Sequence, residues 1–315
     1  MEAYTHYGKQ ADVFKHLVLG EVLHNEQPKV YIDTNSACAV YKLEQTPEKG
    51  YGIYHFLREA SVSNKLRNSF YFKLESEAIR KNCYYGSPAL AMKILKKTSR
   101  YYFFDLQSES LDNILRFAQK EYLDNCIFVQ NCDSTKGVME LLPTLPKHSF
   151  LHIDPYEIDK AGTSGYTYLD VFIQATRLGM KCLLWYGFMT LDDKLAIEQY
   201  ITINMRELDI KNIIGSKLIM NRIRKDTIAC NPGILGSGLL ASNLSEKSNY
   251  QLLNLSQLLV ETYRNSQYEG EDGSLYNEFY AAAAISTCFS KSTNRILKTT
   301  NTIPTTRNNN EPKTE

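Results

Sequence analysis

At 315 residues, 43% of them hydrophobic and 23% charged, the chain can bury a full core and has the composition of an ordinary globular protein. Its 36 basic and 35 acidic residues leave a net charge of +1, so a nucleic-acid surface would have to be a segregated patch. No run of about 18 apolar residues predicts a membrane span, and the opening MEAYTHYGKQADVFKH has no apolar core of a secretory signal.

Residues 11–23 are apolar at helical spacing, with Val13, Leu17, Leu19 and Val22 available to one broad face. KVYID (29–33) reads as a short strand ending on an acid, and residues 45–82, rich in Tyr, Phe and charge, read as a helical insertion. SPALAMKILKKT (87–98) reads as a helix with Ser87 as its cap and Pro88 in its first turn. A strand–helix rhythm follows. Strands are predicted at 101–105, 126–130, 149–154 and 181–186, and helices at 109–122, 136–142, 168–178 and 191–205. Residues 213–220 and 239–243 read as closing strands joined without a helix, and the glycine cluster 233–238 as a hairpin or loop. Residues 290–315 are Thr-, Asn- and Lys-rich and read as a disordered polar tail.

Five strands with intervening helices imply a parallel sheet, and two last strands without a helix imply an antiparallel edge. The expected fold class is therefore α/β: a Rossmann-like, seven-stranded class I S-adenosylmethionine-dependent methyltransferase fold with a small helical insertion. The expected domains are 1–44 with 83–289 for the main body, 45–82 for the insertion and 290–315 for the tail. The seven cysteines are scattered without a CxxC pair, which suits reduced thiols in a cytoplasmic protein and gives no zinc pattern.

Ligands of open α/β sheets bind where strands end. Asp33, Asp105 and Asp154 each close a strand. Any one alone reads as a turn or helix cap; three in succession suggest a site. The small turn NSACA (35–39) would let backbone approach a cofactor, with Asp33 and Asn35 at its start. Asp105 would accept ribose hydroxyls, and Asp133 with Ser134 would reach the cofactor's adenine. Asp154, Pro155 and Tyr156 stand together. A carboxylate and a carbonyl accepting from an exocyclic amine would localise its lone pair, and the ring would stack on the base.

These residues resemble the bacterial large-subunit ribosomal RNA adenine-N(6) methyltransferases of the RlmJ type. The resemblance rests on Met-x-x-Tyr-x-His with ADVFKH (11–16), YIDTNSACAVY (31–41), YGSPA (85–89), FDLQ (104–107), IDPYE (153–157), LWY (184–186) and 237–243. It runs in the family's order to about residue 245. It implies that Lys15, His16, Ser87, Asp105, Asp133 and Ser134 contact S-adenosylmethionine. It further implies that Asp154 is catalytic, that Tyr4 meets the substrate RNA, and that the insertion helps grip it. The expected partners are 23S-type ribosomal RNA and S-adenosylmethionine, with no membrane partner and a monomeric chain. The alternatives are a catalytically impaired RNA-binding relative and a DNA adenine methyltransferase. Three departures stand out: Asn35 replaces the family's His, Ala37 and Ala39 replace two glycines, and the catalytic motif has one proline fewer.

Overall fold

In the segment RYYFFD, Tyr101 and Phe103 enter one apolar core while Phe104 enters a second. That alternation is the signature of a strand covered on both faces. The computed structural model describes residues 6–205, 213–219 and 236–265; Tyr4 and the 290–315 tail lie outside the described residues. The first half runs α1 (Gln10–Glu26), β1 (Val30–Asp33), β2 (Val40–Lys42), α2 (Pro47–Lys49), a π-helical turn (Gly50–Tyr54), α3 (His55–Ala60), α4 (Asn64–Arg67), α5 (Phe70–Arg80), β3 (Cys83–Tyr85) and α6 (Ser87–Leu95). The second half runs β4 (Arg100–Asp105), α7 (Ser108–Lys120), β5 (Ile127–Asn131), α8 (Ser134–Leu141), β6 (Phe150–Ile153), α9 (Tyr168–Arg177), β7 (Lys181–Phe188), α10 (Leu191–Met205), β8 (Ile213–Ile219), β9 (Gly236–Ser242) and α11 (Glu246–Asn265).

Seven strands form one sheet in the order β5-β4-β1-β6-β7-β9-β8. The first five in that order are parallel, and β9 turns back antiparallel between β7 and β8. Helices α1, α6, α7 and α11 contribute to one core, and α8, α9 and α10 to the other, so both faces are covered. This is the expected Rossmann-like seven-stranded class I methyltransferase fold. Its chain reverses direction across the sheet at β1, which has β4 on one side and β6 on the other. A crevice is expected at the carboxyl ends of those strands.

Several expectations need correction. The first helix is not one-faced: α5, α6 and α11 pack around it and β7 and β9 contact it, so Val13, Phe14, Leu17, Val18 and Leu19 are all fully buried. Ser87 is not the cap of α6. Gly86 is, because its backbone lies so close to the preceding loop that a Cβ there would sit 2.3 Å from the Cys38 carbonyl. The helix also stops at Leu95 and tightens into a 3-10 turn at Lys96–Thr98. Of the glycine cluster, Gly236 and Gly238 lie inside β9 rather than in a loop, and residues 233–235 lie outside the described residues. The Tyr186 ring occupies the space beside Gly238, where a Cβ would come within 2.1 Å of it.

Helices α2 to α5 lie between β2 and β3, which pair antiparallel as Val40↔Tyr85 to Lys42↔Cys83. That small sheet closes the base of the insertion. The insertion shares its core with α1 through Phe56, Leu66 and Tyr71, so it is anchored to the helix that carries Lys15 and His16. Among the described residues, no helix is long and apolar enough to cross a membrane.

Candidate active site

A cavity of about 380 Å³ opens where β1 and β6 end. Lys15, His16, Asn35 and Ser87 line it, and so do Asp154, Pro155 and Tyr156. Four separate segments of the sequence therefore converge on one space. The walls also include Asp12, Tyr84 and Trp185, which the sequence pattern did not single out as site residues.

Four charged side chains, Lys9, Asp12, Lys15 and Asp154, line the cavity, and three of them are joined. Lys15 Nζ lies 2.5 Å from Asp154 Oδ2 and 3.0 Å from Asp12 Oδ1, and all three side chains are between 10% and 14% exposed. The other oxygen of Asp12 accepts from the Lys9 backbone N–H at 3.1 Å, so the residue that caps α1 also steers Lys15. Burial works against the Lys15 charge, yet Asp154 and Asp12 hold its pKa above the usual lysine value. Burial pushes the Asp154 carboxyl up, and the attraction of Lys15 only partly offsets it. Asp154 Oδ1 is buried and accepts no hydrogen bond. The Asp154 amide donates to Thr34 Oγ1 at 3.4 Å, and the Thr34 amide to the His152 carbonyl at 3.1 Å, which pins the start of the Asp154–Pro155–Tyr156 loop to the end of β1.

The turn after β1 is held from all sides. The Ser36 amide donates to the Phe104 carbonyl at 3.0 Å, Ala37 to Asp105 Oδ2 at 2.8 Å, and Cys38 to Tyr41 Oη at 3.0 Å. Three successive amides that a phosphate- or ribose-type ligand would use thus have protein acceptors. Ala37 sits at φ +49°, in the left-handed region, while Ala39 does not. Only one of the two alanines therefore carries a steric cost. Asn35 donates to Tyr168 Oη at 2.9 Å, and that hydroxyl lies 3.1 Å from Ser134 Oγ.

The remaining predicted acids stand away from the cavity walls. Asp33 is fully buried and bonded to Tyr31 Oη at 2.9 Å and His152 Nδ1 at 3.2 Å. Burial alone would raise its pKa, but His152 holds it below the usual carboxylate value. Asp105 accepts from the Gln107 amide at 2.8 Å as well as from Ala37, and burial pushes its carboxyl up. Asp133 caps α8 through Thr135 and also accepts from Thr163; these hydrogen bonds overcome partial burial and lower its pKa to about 2. Ser134 meets Tyr168, as above.

His16 is buried, and its Nδ1 lies 2.9 Å from Tyr84 Oη, which in turn lies 3.3 Å from Tyr71 Oη. Burial, reinforced by the neighbouring Lys15 charge, keeps this histidine neutral well below its usual pKa. Asp12 stands in the first turn of α1, where acids are favoured for the helix dipole. Trp185 was visible only as part of LWY. Its place in the site comes from register: Ile153 pairs with Leu184, so the next positions, Asp154 and Trp185, are neighbours across β6 and β7.

No protein-family model matches the chain, and no curated protein matches its sequence. Among solved structures, a Legionella pneumophila (strain Philadelphia 1) protein of the family DUF519 superposes with a TM-score of 0.66 at 21% identity, over 89% of this chain and 99% of that one. At that identity the likeness shows a shared fold. An O-methyltransferase from Bacillus cereus in complex with SAH (TM-score 0.40, 7% identity, 72% and 80% covered) and an rRNA methylase from Streptococcus thermophilus (0.38, 11%, 73% and 95%) are more distant. At those TM-scores neither adds to the argument.

Proposed function

We propose that the chain is an S-adenosylmethionine-dependent methyltransferase acting on the exocyclic amine of an adenine in large-subunit ribosomal RNA. The observation that carries this reading is the Asp154–Pro155–Tyr156 element at the carboxyl end of β6, in one cavity with Lys15, His16, Asn35 and Ser87. A cavity of about 380 Å³ is within the range of small-molecule sites. Its carboxylate and aromatic walls (Asp154, Tyr41, Tyr84, Trp185) suit a cationic ligand, and Lys15 with Ser87 suits a ligand carboxylate. These residues would hold the cofactor, with Asp33, Asp105, Asp133 and Ser134 supporting the turns around it. When bound, S-adenosylmethionine supplies an electrophilic methyl group on its sulfonium.

The chain's own part is to prepare the amine. Asp154 Oδ1 has no partner and would accept a hydrogen bond from the amine, drawing its lone pair away from the ring. The raised pKa of Asp154 favours taking the proton released on transfer. Lys15 would hold the other carboxylate oxygen still meanwhile. Tyr156, half exposed at the cavity wall, would stack on the base. Tyr4 and the helices α2 to α5 would contact RNA beyond the target base. The five cysteines among the described residues are free, in keeping with a cytoplasmic protein.

The decisive test is transfer of labelled methyl to ribosomal RNA, with Asp154→Ala abolishing transfer while thermal unfolding stays cooperative. Wild type that binds the cofactor yet methylates no RNA and no DNA refutes the proposal. A second reading, an RNA-binding relative without turnover, is favoured by one observation: protein acceptors take the three amides of residues 36–38. Calorimetry with millimolar S-adenosylmethionine separates the two, since undetectable binding supports the second. Competition between RNA and single-stranded DNA of one sequence tests the DNA alternative.

A further inference from the structure

Two residues that line the cavity each carry a buried polar atom without a partner, and the two atoms are of opposite kind. Asp154 Oδ1 is an acceptor without a donor, and Trp185 Nε1 is a donor without an acceptor. Both residues line the same cavity. They occupy adjacent strands one position past the Ile153↔Leu184 pair, so their side chains leave the sheet on the same side, about 5 Å apart at the backbone. Lys15 ties them together, with Nζ on Asp154 Oδ2 and 5.1 Å from the centre of the Trp185 ring. The cation takes the face of the indole and leaves its N–H edge. A buried N–H without a partner opposes folding and is rare in native proteins, so its retention at a cavity wall calls for a ligand acceptor.

Resting on the methyltransferase reading above, we propose that Trp185 is a specificity-determining residue whose indole N–H reads a ring nitrogen flanking the target amine. A donor beside an acceptor matches a base edge on which a ring nitrogen stands next to an exocyclic –NH2. Adenine offers that pattern on two sides, through N1 and through N7. Uracil has no exocyclic amine to give to Asp154. The pairing leaves both buried atoms satisfied only when such a base is present, and a site built to hydrogen-bond a ligand rejects analogues lacking the matching atom.

The chain contains a single tryptophan, so its fluorescence reports this residue alone. Wild type is titrated with adenosine 5′-monophosphate and its 1-deaza and 7-deaza analogues, following Trp185 emission. Loss of about tenfold in affinity for one deaza analogue, with the other unchanged, is expected for one missing hydrogen bond to a buried donor. Equal affinity for all three, or no change of emission at millimolar nucleotide, overturns the proposal. Trp185→Phe keeps a ring and removes the donor; by calorimetry it should lose the discrimination between analogues, with the disfavoured deaza analogue bound as before and the preferred one weakened to match it. The wild-type analogue series stands even where that variant fails to fold. Labelled methyl transfer to ribosomal RNA separates the two levels. Wild type that transfers methyl but does not discriminate analogues refutes only the role of Trp185. Wild type that binds cofactor and transfers none refutes the reading beneath it.

Discussion

Replacing Lys15 by methionine keeps the length of the side chain and removes its charge. The Asp154 carboxylate, 10% exposed and 2.5 Å from Nζ, then has no cation beside it. Breaking a buried pair from one side costs about 3–5 kcal/mol. Protonation caps that cost. Neutralising a carboxyl whose ordinary pKa is 3.8 requires about 4 kcal/mol at pH 7, but only about 1.6 kcal/mol at pH 5. The loss from Lys15→Met is therefore about 3–4 kcal/mol at pH 7, shrinking to about 1.6 kcal/mol or less at pH 5. The sign agrees with the raised pKa of Asp154, which favours the folded state at low pH and ceases to do so as pH rises through it. Urea unfolding of wild type and variant at both pH values measures it. Adding Asp154→Asn to the variant should recover most of the loss at pH 7. An equal loss at both pH values would refute the reasoning, because lost packing does not depend on pH. A loss below about 1 kcal/mol at pH 7 would refute it too, since that is the size of an exposed pair.

Three further outcomes are expected. Ala37→Gly relieves a left-handed conformation worth about 1–2 kcal/mol while adding about 0.5–1 kcal/mol of chain entropy, so it should be neutral to about 1.5 kcal/mol stabilising. Ala39→Gly has no such relief and should lose about 0.5–1 kcal/mol; urea midpoints of the same sign for both would contradict the backbone argument. His16 is neutral in the fold and its pKa is lowered, so the stability it contributes is complete above pH 6.5 and falls as pH drops below it. His16→Gln should remove up to about 2 kcal/mol of the decline between pH 6.5 and pH 5, read as a flatter pH profile of the unfolding free energy. An unchanged profile would mean that this histidine takes up a proton as readily in the fold as in the unfolded chain, and would refute the expectation.

Much of the architecture was legible along the chain. Apolar runs of strand length ending on Asp33, Asp105 and near Asp154, alternating with helical stretches, predicted five parallel strands, and all five are present. Strand and helix periodicities are local, so a window of a few residues carries them. The short β2–β3 pair and α11 were not anticipated. Strands of three residues carry almost no periodicity, and the pair forms only because the insertion brings residues 40–42 and 83–85 together.

The site divides along the same line. Local pattern picked out Asn35 and the Asp154–Pro155–Tyr156 element, and the family resemblance added Lys15, His16 and Ser87; the fold collects them all into one cavity. The acid-ended strands and the turn of residues 29–41 likewise follow from residue order alone. Pattern could not tell that Asp33, Asp105 and Asp133 are already bonded to neighbours in the fold, or that Ala37 and not Ala39 bears the strain. Nor could it show that Lys15 closes on Asp154 across 139 positions, or that strand register sets Trp185 beside that acid. Those relations depend on which strands pair, in what register, and on how α1 is wedged between the sheet and the insertion. They are properties of the packed chain, decided by long-range contacts that no stretch of sequence contains.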